Sequence, residues 1–213
     1  MKHKKLLLAV CLLVAFVLWT TALNRIDVQA IGPQDSTVGF ATVNQLVHAL
    51  TGVHLFLYTL TDWLSLIPVG FMAGFALLGL VQWIRRKSLW KVDRSILALG
   101  GFYLAVAAVF LFFETVVINY RPVLIAGVLE ASYPSSTTML VLCVMPTAAM
   151  KLRSRIRNAN LRRWTTAAIA VFTVFMVLGR LISGVHWVTD IVGGTLVSAG
   201  LVLLYAHSCD ALQ

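Results

Sequence analysis

Long apolar runs, separated by short polar segments, follow one another along most of the chain. A helix that crosses a membrane needs about 20 mainly apolar residues, and six runs reach or can be extended to that length. We therefore predict an all-α, polytopic membrane protein that forms one domain over residues 1–213. The six predicted spans are Leu6–Leu23, Leu64–Ile84, Ser95–Ile118, Ser136–Met150, Trp164–Leu178 and Val188–Ala206.

The first span and the segment that follows it are less regular than the rest. Basic residues precede Leu6–Leu23, so this run fits either a retained span or a cleaved signal peptide. Its length favours the retained span. In the segment 43–53, apolar residues recur at helical spacing among polar ones, which indicates a helix lying in the membrane interface.

Composition supports the same class of protein. Hydrophobic residues make up 60% of the chain, charged residues 12%, and the mean hydropathy is +0.89, whereas about a quarter of a soluble domain is charged. The net charge of +9 does not indicate nucleic-acid binding, because the basic residues concentrate in the short segments 2–5, 85–94 and 151–163, between apolar runs. We expect these basic segments to lie near the headgroups of membrane lipids.

The basic segments also predict an orientation. Short loops rich in Lys and Arg face the cytoplasm, and all three basic segments fall on one side if the N-terminus is cytoplasmic. We therefore predict a multi-pass protein of the cell membrane, with the connections 24–60, 119–135 and 179–187 on the extracytoplasmic side. Nothing in the sequence sets an oligomeric state.

Polar residues with potential chemistry gather in two of these outer connections. One holds ETVVINYRP and YPSSTTM, and the other holds GRLISGVHWVTD. Short connections keep helix ends close together, so we expect Arg121, Ser135, Arg180, His186 and Asp190 to lie in one pocket. Arginine offers a planar fork of donors that stays charged, and hydroxyl groups add further donors, so this set suits a phosphate group.

The spacing of His186 and Asp190 predicts a nucleophile or base with its orienting partner. Residues four apart share one face of a helix, and a carboxylate that accepts a hydrogen bond from one imidazole nitrogen leaves the other free to act. Each of these groups alone also fits a capping or snorkelling role. The chain has no further cluster of histidines or carboxylates nearby, so we expect neither a metal site nor a cofactor.

These motifs resemble those of the type 2 phosphatidic acid phosphatases, a family related to the vanadium haloperoxidases. The family motifs are KxxxxxxRP, PSGH and SRxxxxxHxxxD, and this chain has ExxxxxxRP from Glu114, PSST from Pro134 and GRxxxxxHxxxD from Gly179. The resemblance implies that His186 attacks phosphorus and becomes a phosphohistidine, with Asp190 orienting it.

The same resemblance implies a phosphate clamp made by the remaining matched residues. Arg121 and Arg180 correspond to the arginines that bind phosphate oxygens. Ser135 corresponds to the phosphate-binding serine, and Ser136 stands at the glycine position of PSGH.

Two departures from the family motifs bear on chemistry. Glu114 replaces the lysine of the first motif, and we expect it to pair with Arg121 or Arg180 or to be protonated. Thr137 replaces the histidine that protonates the leaving oxygen, and a threonine hydroxyl is not a proton donor of matched pKa.

Two hypotheses for the function follow. The first is a lipid phosphate or diphosphate phosphatase. A diphosphate lipid such as a polyprenyl diphosphate fits a site without a proton donor, because the phosphate that leaves has a conjugate acid of pKa about 6. The second is a non-catalytic protein that binds phospholipid headgroups. The intact histidine and aspartate pair favours the enzyme.

Overall fold

Eight α-helices, joined by short connections, make up the computed structural model, which describes residues 2–211. A short antiparallel ribbon of β1 (Gln29–Ala30) and β2 (Thr37–Val38) lies between the first two helices. The helices are α1 (Lys2–Leu23), α2 (Ala41–Thr51), α3 (Leu55–Leu64), α4 (Leu66–Arg86), α5 (Arg94–Thr115), α6 (Ser136–Arg155), α7 (Ala159–Ile182) and α8 (Val188–Ala211).

Five of the helical segments in residues 2–211 are long and apolar enough to cross a membrane. One of them runs without a break in the apolar pattern through α3 and α4, which meet at Ser65. The all-α, multi-pass class is therefore confirmed. The five segments are His3–Leu23, Leu55–Arg86, Arg94–Thr115, Ala159–Ile182 and Val188–Asp210.

The predicted fourth span corresponds to α6, which is not among these five segments. Its 20 residues begin with hydroxyl side chains and end with basic ones, so its composition is less apolar than that of its neighbours. Its membrane crossing, and with it the count of six spans, stays a prediction. The helix is nevertheless central to the bundle, because it packs against α4, α5, α7 and α8 and buries Val141, Val144 and Ala148 completely.

The three basic segments meet at one end of the bundle. Lys5 pairs with Asp210 at 2.7 Å, which joins the start of α1 to the end of α8. Arg155, the last residue of α6, lies 3.8 Å from Asp93, which precedes α5. The connections α1–α2, α5–α6 and α7–α8 therefore lie together at the opposite end, since each of these helices runs the length of the bundle.

The long α5–α6 connection is tied to the other connections at that opposite end. The Tyr133 hydroxyl lies 2.7 Å from Oγ1 of Thr20 on α1. The indole Nε1 of Trp187, in the α7–α8 connection, donates to the carbonyl of Tyr120 at 2.8 Å. These contacts hold the two motif-bearing connections against each other.

Gly184, in the α7–α8 connection, allows that connection to meet the segment before α3. Its φ is +67°, which L-residues other than glycine rarely adopt, and a Cβ placed there would lie 1.8 Å from the carbonyl oxygen of Gly52. The neighbouring amide of His54 donates to the carbonyl of Ser183 at 2.9 Å. Only a residue without a side chain permits this approach.

We expect Gly184→Ala to lower the free energy of unfolding by about 2–5 kcal/mol, because a left-handed backbone conformation and a packing overlap are added together. Unfolding in detergent measures the change. Gly101→Ala on α5 is the matched control, because a Cβ there meets nothing within 4 Å. Equal stability of the Gly184 variant and wild type would contradict this account of the connection.

Candidate functional site

His186 lies in the short connection before α8 and is 3% exposed. Its Nε2 is 3.4 Å from Nη1 of Arg121, and its Nδ1 is 3.7 Å from Oδ2 of Asp190. A guanidinium group only donates hydrogen bonds, so Nε2 is the acceptor and Nδ1 carries the proton. The lone pair of Nε2 therefore points toward the arginine, where an anion would bind.

Asp190 is fully buried at the start of α8 and is held by two donors. Its Oδ2 accepts a hydrogen bond from the amide of Trp187 at 2.9 Å, and its Oδ1 accepts one from Nδ2 of Asn119 at 3.2 Å. The separation of 3.7 Å from Nδ1 of His186 is longer than a hydrogen bond, so the direct bond expected from the sequence is not formed here. Such contacts are often long without substrate and shorten in the reacting complex.

Burial lowers the pKa of His186 from 6.5 to about 4. Asp190 opposes this shift, and the positive charges of Arg121 and Arg180 add to it. The imidazole is therefore neutral at physiological pH. A neutral ring keeps the Nε2 lone pair that a nucleophile needs.

The two motif arginines converge on Tyr58 of α3. Arg180, at the end of α7, places its Cζ 4.9 Å from the centre of the Tyr58 ring, and Arg121 places its Cζ at 5.8 Å. Both guanidinium groups are largely buried, with exposures of 2% and 8% for Arg180 and Arg121. The aromatic face compensates part of the cost of bringing two like charges together.

Each arginine also has a carboxylate beside it. Nε of Arg121 lies 3.0 Å from Oε2 of Glu130, and Nη1 of Arg180 lies 3.9 Å from Oδ1 of Asp62. Oγ1 of Thr61 is 3.4 Å from the same Nη1. Carboxylates of the chain itself thus offset part of the positive charge of the two arginines, and an anion bound there would compete with them.

The predicted pairing of Glu114 with Arg121 or Arg180 is wrong. This residue is exposed near the end of α5, and its side chain is absent from the ion pairs of residues 2–211. The α5 helix ends at Thr115, so the chain leaves the helix before it reaches Arg121. The two residues consequently do not share a helix face, and Glu130 from the returning part of the connection takes the place beside Arg121.

The start of α6 brings hydroxyl and amide groups to the same region. Ser135 is completely buried before the first turn, and its amide donates to the carbonyl of Asp190 at 3.1 Å. Its Oγ has no hydrogen-bond partner within the described residues, and a buried hydroxyl without a partner is costly. Ser136 is the first residue of α6, where backbone N–H groups have no partner within the helix. These donors suit an anion.

An apolar cavity of about 380 Å³ adjoins this helix start. Its polar rim consists of Asp62, Ser65, Ser136 and Thr137. Thr137 is 7% exposed. The cavity lies between α4, α5 and α6, and its apolar wall includes Met72, Val106, Phe110, Met139 and Leu140.

The structure therefore brings Arg121, Ser135, Arg180, His186 and Asp190 to one end of the bundle, with Ser136 at its margin. Sequence reasoning missed four contributing side chains. Asn119 lies two positions before Arg121, and its closeness to the first motif could have identified it as a site residue. The other three have no motif, and only the fold brings them to the arginines: Tyr58, Asp62 and Glu130.

Comparison with known proteins agrees with the motifs. The family model of the PAP2 superfamily matches residues 98–212, a range that contains all three motifs. A search of curated proteins finds no match. Among solved structures, the chain is similar to the crystal structure of the first transmembrane PAP2 type phosphatidylglycerolphosphate phosphatase from Bacillus subtilis. The TM-score is 0.63 at 18% identity, over 96% of this chain and 97% of that one.

At 18% identity this likeness shows a shared fold. The family match is the stronger finding, because residues 98–212 are more than half of the 213 positions. This confirms the resemblance to the type 2 phosphatidic acid phosphatases that the motifs indicated, and the chain belongs to the PAP2 superfamily.

Proposed function

We propose that this protein hydrolyses lipid phosphates or lipid diphosphates through a phosphohistidine intermediate on His186. Membership of the PAP2 superfamily supports a membrane lipid phosphatase at the broad level. The observation that carries the specific proposal is the neutral, buried imidazole whose Nε2 lies 3.4 Å from a guanidinium nitrogen of Arg121. Nucleophile and anion site are adjacent.

In this proposal a phosphate group binds between the two arginines. The donors of Arg121 and Arg180 turn from Glu130 and Asp62 to the phosphate oxygens, and the free hydroxyl of Ser135 adds a third contact. The first-turn amides of α6 complete an arrangement in which donors surround the developing negative charge.

The chemical step then follows from the tautomer of His186. Nε2 forms a bond to phosphorus while the bond from phosphorus to the leaving oxygen breaks. The ring becomes positively charged, and the carboxylate of Asp190, fixed by Asn119 and the amide of Trp187, stabilises that charge at Nδ1. Water subsequently attacks phosphorus and returns the electron pair to Nε2.

The position of the site supports the proposed orientation. His186 lies at the end of the bundle opposite to the Lys5–Asp210 and Arg155–Asp93 pairs. Basic segments face the cytoplasm in membrane proteins, so the site opens on the extracytoplasmic side of the cell membrane. The apolar cavity beside Thr137 suits the lipid portion of a substrate.

The alternative is a protein of the same fold that binds phospholipid headgroups without turnover. Two observations favour it: Thr137 lacks an acidic proton, and Glu130 and Asp62 already neutralise the clamp. A test of turnover separates the two functions.

We expect His186→Ala to abolish phosphate release from every substrate, because Nε2 of His186 is the atom that bonds to phosphorus in this proposal. Purified protein in detergent is assayed with phosphatidic acid, phosphatidylglycerol phosphate and a polyprenyl diphosphate. Asp35→Asn, a change at an exposed carboxylate of the α1–α2 connection, is the control and should retain wild-type rates.

Absence of phosphate release by wild type from all three substrates, together with retained binding of phosphatidic acid vesicles, would contradict the enzyme and leave the binding protein. Full activity of His186→Ala would contradict the nucleophile.

Removing the competing carboxylate at Arg121 should tighten phosphate binding. An exposed or half-exposed ion pair contributes about 0.2–1 kcal/mol, so we expect Glu130→Gln to lower the inhibition constant of inorganic phosphate by roughly 1.5- to 5-fold. Competitive inhibition of turnover measures this constant. A weaker inhibition by phosphate would show that Glu130 supports the clamp instead of competing for it.

The lowered pKa of His186 predicts a stability difference in mild acid. The unfolded chain binds a proton at this residue near pH 6.5, whereas the folded chain does so near pH 4. The contribution of the neutral His186 side chain to the free energy of unfolding is therefore fully present above pH 6.5 and is lost as the pH falls toward 4.

Relative to His186→Gln, wild type should lose about 3 kcal/mol of unfolding free energy across that window. Chemical unfolding at a series of pH values measures the difference between the two proteins. If the plots of unfolding free energy against pH ran parallel for the two proteins, His186 would have the same pKa in the folded and the unfolded chain.

A further inference from the structure

Release of an alcohol from a phosphoric monoester requires a proton at the leaving oxygen, because an alkoxide is a very poor leaving group. The proposed chemistry uses His186 as the nucleophile, so a different group has to supply this proton. Thr137 lies beside the site, but its hydroxyl is not acidic enough to serve.

Several titratable groups other than His186 and the arginines lie around the clamp. Asp190 is fully buried behind the imidazole, on the Nδ1 side, and cannot reach a leaving group in front of Nε2. Glu130 stands beside Nε of Arg121. The ring of Tyr58 is in contact with both guanidinium groups. Asp62 remains.

Asp62 borders both the arginine clamp and the apolar cavity. Its Oδ1 is 3.9 Å from Nη1 of Arg180, so it borders the phosphate position. It also shares the rim of the apolar cavity with Ser136 and Thr137. Consider a lipid with its phosphate bound at Arg180 and its hydrocarbon in that cavity. Its ester oxygen would lie between the arginine and the cavity, beside Asp62.

The freedom of the Asp62 side chain fits such a role. It is 58% exposed, in contrast to 2% for Arg180, so it can move from the arginine to the ester oxygen without disturbing the core. When phosphate engages Arg180, the carboxyl group of Asp62 is released from that arginine and is free to meet the ester oxygen.

We propose that Asp62 is the proton donor to the leaving oxygen, a catalytic residue supplied by α3 in place of a group on α6. The proposal rests on the proposed function. As Nε2 of His186 bonds to phosphorus and the phosphorus–oxygen bond breaks, the leaving oxygen takes the proton of Asp62 and departs as an alcohol. The resulting carboxylate then accepts a proton from the water that attacks the phosphohistidine. Inorganic phosphate leaves, and Asp62 is again protonated.

The test compares substrates that differ in their need for a proton. A short-chain phosphatidic acid releases an alkoxide, whereas 4-nitrophenyl phosphate releases a stable phenolate. A general acid contributes about 10²–10⁴-fold, so Asp62→Asn should lose roughly that factor on phosphatidic acid and less than about 10-fold on the aryl ester.

The ratio of the two rates, measured on one sample, does not depend on how much of the variant is folded. Asp62→Glu, which keeps a carboxyl group, should retain most of the wild-type ratio. Asp35→Asn is the matched control for removal of an exposed carboxylate and should leave both rates unchanged.

Equal loss on both substrates would overturn the proposal, because Asp62 would then act on phosphate binding or on folding. Unchanged rates in Asp62→Asn, with His186→Ala inactive, would overturn it while leaving the proposed function intact. Absence of wild-type turnover on both monoesters, with a polyprenyl diphosphate still cleaved, would overturn this proposal alone, and absence of turnover on all three substrates would overturn the proposed function with it.

Discussion

The site depends on partners that compensate the charged groups buried at one end of the apolar bundle. Arg180, His186 and Asp190 are nearly or completely buried, and unpaired charges in such surroundings cost several kcal/mol each. Contacts from several elements of the bundle offset this cost. Tyr58 faces both arginines, Glu130 stands beside Arg121, and donors from two different connections satisfy the carboxylate of Asp190. The same arrangement leaves Nε2 of His186 facing a positive charge.

The α5–α6 and α7–α8 connections supply many of the contacts that compensate this charge. The α5–α6 connection contributes Asn119 and Arg121, and it is fixed to α1 by Tyr133 and to the α7–α8 connection by Trp187. The glycine at position 184 lets that second connection touch the segment before α3. The helices therefore provide length and a lipid-facing surface, while hydrogen bonds between connections set the geometry of the site.

Much of this could be predicted from sequence, because apolar length and motif spacing are local properties. The helices α1, α5, α7 and α8 lie where the apolar runs predicted them, and the motifs meet at one end. Partners from distant elements were not predictable in the same way. Glu114 was assigned to an arginine through helical periodicity that ends at Thr115, whereas Glu130 reaches Arg121 only because the connection turns back. Asp62 is likewise recruited by the packing of α3 against α7.

The central claim is that His186 carries the phosphoryl group. The most direct measurement is mass spectrometry of peptides from wild-type protein, quenched rapidly in alkali during turnover of a lipid phosphate, since phosphohistidine survives alkaline conditions. The account predicts one phosphoryl group on the peptide that contains His186, formed and lost at rates that match steady-state turnover. Turnover without a phosphorylated peptide, or with phosphate on a different residue, would contradict it.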